Sequence, residues 1–445
     1  MNLYNQLVTH PHFEQRPIDY IRWYPKALTP SETLTFDHTP ATGKIEGIYI
    51  HVPFCDQLCH FCPYNKRTSD LTLIESYVDA LITEIRLYQE KIDISELNFI
   101  YFGGGTPSVL SPSQVEKILA SIQNWKNISP KTEITFESHP SHLTVPYLKN
   151  LKQLGINRIS SGIQAFDDKL LRQMGANHTP SQAFSAIEAS ATVMGHIAID
   201  LLYRCEGQST EHWMAQLKQA TELPGVTHLS CYSLVLDDES KQPSRLEEAK
   251  MMTEMLDYLS SLNYTHYASC ASGGFDFTQA GYQSIYETRH WEAPQASFVG
   301  LGPGALGYVG HYTTVNGLDV NRYIQKLSEK KLPIVSATLA DEVEQMRRYF
   351  VLGVKTLQVP LTPFQQQFNQ DPAIIFKQEF EQLLRLGYAT VDADFLKLTA
   401  LGRLFVDSIS AIFFSATQRD IPHPEEPEIR AAELAVSRIP VLSSR

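Results

Sequence analysis

The chain has 445 residues, 43% of them hydrophobic, and a formal net charge of −12. That size and apolar content exclude a disordered chain and suit one large α/β domain with an appended module, while the acidic balance argues against a surface built to neutralise nucleic-acid phosphates. No run approaches the ~18 consecutive apolar residues of a membrane span, and His10, His12, Glu14, Arg16, Asp19, Arg22 and Lys26 interrupt any signal-like core, so a cytoplasmic protein with neither nucleic-acid nor membrane partners is expected.

In chain order, residues 1–44 are polar, proline-bearing and non-periodic, and read as an arm. From Ile45 short β-rich runs alternate with helical stretches: "IEGIYIHV" (45–52), "LNFIYF" (97–102), "TEITFE" (132–137), "NRISSGI" (157–163), "HIAIDLL" (196–202) and "THLSCYSLV" (227–235). Between the first two, Ile74, Tyr77, Val78, Leu81, Ile82, Ile85 and Tyr88 recur at the spacing of an amphipathic helix. Repeated βα units predict a parallel sheet covered by helices, either a full or partial barrel or an open doubly wound sheet, in a domain spanning 45–335. Residues 336–420 read as helix, helix and hairpin, a small winged-helix-like module. Residues 421–445, with four prolines and several charges, read as a loose tail.

The polar motifs fall directly after the strand runs, so one mouth at the carboxyl ends of the strands collects every candidate. Three of the six cysteines lie there, in "HVPFCDQLCHFCPYNKR", at C-x3-C-x2-C spacing. Cys205, Cys231 and Cys270 are scattered singly, which suits a reducing compartment rather than a disulfide framework. His51 and His60 could complete a zinc site with two of the clustered thiols. A closed zinc site wants four ligands, however, and three thiolates on one short loop suit a [4Fe–4S] cluster whose fourth iron is left open for a ligand.

Cys55, Cys59 and Cys62, with Phe61 before the last, resemble the motif of the radical S-adenosylmethionine (radical SAM) superfamily. The resemblance implies a partial (β/α)6-type barrel with a C-terminal helical, winged-helix-like module, and a cluster whose open iron chelates SAM and cleaves it reductively to a 5′-deoxyadenosyl radical. "FGGGTPS" after the second strand agrees with it, since glycines let backbone groups approach a ligand closely. In the order "YIHVPFC", "FGGGTPS", "ESHP", "SGIQAFDDKLLRQMG" and "GLGPGALG", with "LTALGRLFVDSI" near the end, the chain is similar to coproporphyrinogen dehydrogenase and its relatives. Position by position, Tyr49, Gly104, Gly105, Thr106, Glu137, Gln164 and Asp200 match that group's SAM-binding residues. Phe61, Val235 and Leu306 match positions lining a second SAM, so up to two SAM molecules are expected.

Three departures stand out. Pro63 and Tyr64 replace a further cysteine that the dehydrogenase carries, Ala176 stands where the group usually has an arginine, and "YRCEGQ" adds Arg204, Cys205 and Glu206 near the mouth. That combination most resembles the anaerobilin synthase family of haem-utilisation radical SAM methyltransferases. The resemblance implies oxygen-independent opening of haem to a linear tetrapyrrole with release of iron, and a flavodoxin-like or ferredoxin-like electron donor. Arg204 could replace the missing arginine, meet a haem propionate or pair with Glu206, and Arg204, Cys205 and His290 are the candidates for the reaction itself. His10, His12 and His290 are candidate haem ligands among fifteen histidines. The arm or the C-terminal module is expected to cover the cavity. A haem chaperone without turnover, or the coproporphyrinogen dehydrogenase itself, are the alternative readings.

Overall fold

The computed structural model describes residues 2–15, 21, 23–29, 45–59, 62–94, 96–234, 239–269, 273–421 and 429. All six runs read from the sequence are strands: β1 (Ile45–Val52), β2 (Phe99–Gly104), β3 (Glu133–Ser138), β4 (Arg158–Gln164), β5 (Ile197–Tyr203) and β6 (Val226–Ser233). They pair in parallel, each with the next. Six shorter strands complete the sheet: β7 (Thr265–Ala268), β8 (Gly274–Thr278), β9 (Ser297–Leu301), β10 (Leu306–Val309), β11 (Tyr312–Asn316) and β12 (Ile334–Leu339). The order is β12-β11-β10-β9-β1-β2-β3-β4-β5-β6-β8-β7, a linear order, so the barrel is partial. Strand β9 joins β1 in parallel, whereas the outer strands run antiparallel.

Register and alternation give the sheet two chemically distinct faces. Tyr49 pairs Tyr101, Tyr101 pairs Thr135, Glu137 pairs Ser160 and Gly162 pairs Asp200, so these residues share the inner face. Ile48, Ile50, Ile100, Phe102, Ile134, Phe136, Ile159, Ile197 and Ile199 occupy the other face and are buried in the main core, each contributing about 2 kcal/mol by burial. The face toward the helices is thus apolar, and the barrel interior is polar and aromatic.

Helix α1 (Leu3–Val8) precedes the sheet, and α2 (Leu71–Gln89), α3 (Pro112–Trp125), α4 (Val145–Gln153), α5 (Asp168–Met174), α6 (Pro180–Met194), α7 (Thr210–Glu222) and α8 (Arg245–Ser261) alternate with its strands. Local chemistry sets several helix ends. Ser111 with Gln114 and Thr179 with Gln182 form capping boxes ahead of prolines at the first helical position, and α5 stops at Gly175, whose φ of 72° is left-handed. Helix α9 (Ile285–Trp291) lies against the barrel interior, and α10 (Val320–Ser328) packs on α2.

The C-terminal part holds α11 (Glu342–Gly353), α12 (Thr362–Phe368), α13 (Pro372–Ile375), α14 (Lys377–Arg385) and α15 (Val406–Ile412) around a small sheet. Its strands, in the order β13-β15-β14, are β13 (Gln358–Pro360), β14 (Ala389–Val391) and β15 (Phe395–Leu398). The described pieces of the N-terminal segment join the two parts: the Tyr24 hydroxyl donates to Glu344, and the Thr29 carbonyl accepts from Ala337 N–H of β12 at 2.9 Å. Half of the arm and nearly all of 421–445 lie outside the described residues. No helix among the described residues is long and apolar enough to cross a membrane.

Candidate functional site

The cysteine loop leaves β1 and is closed by a short parallel pair, Phe54–Cys55 with Arg67–Thr68. Arg67 N–H donates to the Pro53 carbonyl and Ser69 N–H to the Cys55 carbonyl, each at 2.8 Å. Within the loop Lys66 Nζ donates to the Cys62 carbonyl at 2.5 Å. His51, a possible zinc ligand on sequence, instead anchors this loop. Its Nε2 lies 2.8 Å from the Asn65 carbonyl and must donate there, so Nδ1 accepts from the Tyr49 hydroxyl at 3.3 Å. Burial holds its pKa down at about 4, so the ring is neutral.

The glycine turn packs directly on the cluster strand. Gly105 N–H donates to the Val52 carbonyl at 2.8 Å, and Thr106 N–H to the Phe54 carbonyl at 2.7 Å. A Cβ on Gly105 would lie 2.7 Å from the Phe54 carbonyl oxygen, and Gly104 sits at φ +105° over the His51 ring. Only glycine permits that approach. The Thr106 hydroxyl donates to Cys55 Sγ at 3.3 Å. Burial pushes the Cys55 thiol up to about 11 and raises that of Cys59, and each of the two feels the neighbouring cluster thiols. Thiols kept protonated by burial become ligands when a cation replaces the proton. Three thiols on one loop suit a [4Fe–4S] cubane whose fourth iron stays open; His60, the other histidine of the zinc reading, lies outside the described residues.

The strand-end residues converge on the inner face. Glu137 accepts the Tyr101 hydroxyl at 2.7 Å, and burial lifts its carboxyl to about 7 against the opposing effect of that bond. Asp200 is pushed well above the usual carboxylate range, first by burial and then by Glu137 and Asp276, and its side chain makes no hydrogen bond among the described residues. Gln164 holds φ 62° just past a bulge, and among the described residues its amide is also without a partner. A bulged, strained strand end and two unpartnered polar side chains fit a polar ligand bound across the strand ends. SAM, with its ribose hydroxyls and amino group, meets that description, and Tyr49, Gly104, Gly105, Thr106, Glu137, Gln164 and Asp200 would hold it. With cluster and SAM bound, such a site supplies a low-potential electron and a carbon radical.

Tyr49, Gly104, Glu137 and Leu306 line one cavity of about 140 Å³ together with His290. Its floor is aromatic: Tyr286 of α9 lies 4.2 Å from Tyr101 and 5.8 Å from Tyr49 between ring centroids. His290 stacks on Trp291 at 4.1 Å, and its Nδ1 is 3.2 Å from the Tyr286 hydroxyl. Trp23 of the N-terminal segment and Ile429 of the C-terminal segment also line the cavity, so both ends of the chain contribute to its cover. The volume falls short of the ~300–1,000 Å³ that encloses a drug-sized ligand.

Other sequence candidates lie elsewhere. Arg204 is buried and faces Glu248 at 4.0 Å and the Pro243 carbonyl at 3.1 Å; the expected pairing with the exposed Glu206 is not made. Cys205 sits in an apolar cluster with Leu170, Leu171, Met174 and Leu202, against which Ala176 packs. His10 stacks on Tyr388 and lies tilted against Phe405, and His12 bonds the Tyr388 hydroxyl, placing both on the C-terminal part rather than at the mouth. Phe61 and Val235, expected to contact SAM, lie outside the described residues.

Sequence reasoning missed Glu84, Tyr286 and His142. Glu84 accepts from Gly302 N–H at 2.9 Å and from Asn316 at 2.8 Å, fixing the turn of "GLGPGALG". Its signal was a carboxylate on the apolar stripe of α2, in line with Tyr77, Leu81 and Tyr88.

The comparisons agree with this architecture. Residues 49–202 match the profile of the radical SAM superfamily, and residues 341–405 that of the HemN C-terminal domain. The solved structure of coproporphyrinogen III oxidase (HemN) from Escherichia coli superposes with a TM-score of 0.77 at 20% identity, covering 90% of this chain and 97% of that one. The fold is thus the radical SAM α/β fold of HemN with a C-terminal helical domain, and the radical SAM profile over 49–202 implies a [4Fe–4S] cluster and SAM. Among curated proteins, the heme chaperone HemW of Bacillus subtilis is 29% identical over 383 residues, 83% of this chain and 99% of its own. HemW of Lactococcus lactis is 27% identical over 372 residues, 81% of this chain and 94% of its own.

Proposed function

We propose that the protein binds haem and hands it on, a radical SAM protein of the haem-chaperone type. One observation carries this reading: the relatives that match along nearly their whole length are named haem chaperones. Haem opening by a methyltransferase of the anaerobilin type, expected from the motif resemblance, is the second reading. It is favoured by His290, which lines the same cavity as Tyr49 and Glu137 and would set a haem beside SAM. Oxidative decarboxylation of coproporphyrinogen is disfavoured by Pro63 and Tyr64 in place of a further cysteine. His290 is the proposed axial ligand, a flavodoxin-like or ferredoxin-like protein the proposed electron donor, and the cytoplasm the proposed compartment.

The test is anaerobic incubation of the reconstituted protein with haem, SAM and reduced flavodoxin, following the Soret band and the mass of the pigment. Intact haem that passes to an apo-haem protein supports the carrier. Loss of the band with a methylated linear tetrapyrrole and free iron would replace it with the degrading enzyme.

A further inference from the structure

The cysteine loop, the glycine turn and the Glu137 strand end are carried by three separate connections, and one imidazole joins them. His142 closes a short turn, Pro140–His142, that follows β3 and Glu137. Its Nε2 lies 2.8 Å from Asp56 Oδ2, and Asp56 directly follows Cys55. Its Nδ1 lies 2.9 Å from the hydroxyl of Ser108, two residues beyond Thr106. We propose that His142 is a positioning residue that sets the cluster loop in register with the SAM cradle.

The hydrogen bonds fix the direction of this link. Asp56 Oδ2 can only accept, so Nε2–H donates to it, and Ser108 Oγ, which accepts His139 N–H at 2.9 Å, is free to donate its proton to Nδ1. The His142 side chain is 23% exposed and that of Asp56 50%, so the pair adds little to global stability. Its consequence is geometric. Cys55 already accepts from Thr106, but that contact holds only the first cysteine, whereas the His142 bridge acts on the segment leading from Cys55 to Cys59. A loop free to swing by an ångström would move the open iron relative to the strand ends that grip SAM, and misplacement on that scale is costly.

The inference rests on the cluster-and-SAM reading and is independent of haem. The full-length protein is reconstituted as wild type, His142→Phe, His142→Gln and Ser108→Ala. Iron and sulfide content, SAM affinity by equilibrium dialysis, and the EPR spectrum of the reduced cluster with and without SAM are then measured. His142→Phe is expected to keep its iron and sulfide but bind SAM about tenfold more weakly, the loss of roughly one charge-assisted hydrogen bond, with a diminished SAM-induced change in the EPR spectrum. His142→Gln, whose amide can still donate to Asp56, recovers most of both. Ser108→Ala, which leaves the imidazole in place, falls between wild type and His142→Phe and serves if the phenylalanine variant does not fold. An unchanged affinity and EPR response in His142→Phe overturns the proposal, as does loss of iron in all three variants. If wild type itself shows no SAM-dependent change, the cluster-and-SAM reading fails instead.

Discussion

Glu84 of α2 accepts the Tyr323 hydroxyl of α10 at 2.6 Å, 239 residues away in sequence, in a site where neither side chain is exposed. Burial raises the carboxyl to about 7, against the opposing pull of Tyr323, Gly302 and Asn316. The folded protein therefore holds a proton that the unfolded chain releases near the ordinary carboxylate pKa of 4.5. Stability from this group is fully present below about 4.5 and is lost as pH rises through about 7, a difference on the order of 3 kcal/mol. Glu84→Gln, whose amide oxygen can still accept, should flatten that part of a pH series of denaturant midpoints. An unchanged slope would exclude Glu84 as its source.

Gly105 makes the second prediction. A methyl group there meets backbone on both sides, the carbonyl oxygens of Phe54 at 2.7 Å and of Val52 at 2.8 Å, and no flexible side chain can yield. Gly105→Ala should push the glycine turn off the cluster strand and weaken SAM binding at least tenfold, with a loss of about 1–3 kcal/mol in stability. Equilibrium dialysis with SAM checks the first effect and urea unfolding the second. Gly195→Ala, at φ +86° with nothing within 4 Å of its Cβ, is the control for backbone strain alone, and should lower stability while leaving SAM affinity intact.

The parts of this fold legible in the sequence were those written in local spacing. The six parallel strands alternate between an apolar and a polar face, and α2 repeats its apolar residues every three or four positions, so both periods are visible over short windows. Strands β7 to β12 are only four to six residues long, and their pairing, antiparallel except for β9 on β1, is set by partners rather than by their own pattern. The site divides the same way. Three cysteines within eight residues announce themselves, but His142 and Asp56 are 86 residues apart and Glu84 and Gly302 are 218. Arg204 shows the same limit from the other side: it is a buried arginine facing an acid, but that acid is Glu248 of α8, not Glu206 two residues away in sequence.

Cys59→Ala removes the middle ligand of the proposed cluster. The expected result after reconstitution is loss of the brown colour and of SAM cleavage, with iron and sulfide falling far below the wild-type ratio. The fold should survive, because Cys59 is partly exposed and lies outside the hydrophobic core. Circular dichroism checks that point. Tyr64→Phe, at a side chain 47% exposed beside the loop, should keep its full iron content. A normal iron-to-sulfide ratio in Cys59→Ala would remove the cluster from this loop.

Glu133 lies on β3 below the site, and its carboxylate receives Ile285 N–H at 2.9 and 3.0 Å and Tyr286 N–H at 3.2 Å. It therefore holds the start of α9, the helix that carries Tyr286 and His290 into the cavity. The same carboxylate is the largest favourable charge acting on Arg158, which is buried inside the barrel. Glu133→Gln keeps an oxygen for the helix but removes both the charge at its N-terminus and the counter-charge of the guanidinium, and should cost about 2 kcal/mol in unfolding free energy. Adding Arg158→Met removes the stranded cation, so the double variant should be less destabilised than the two single effects sum to. Strict additivity would mean that Glu133 and Arg158 act apart. A haem affinity lowered in Glu133→Gln and restored in the double variant would tie that pair to the position of His290.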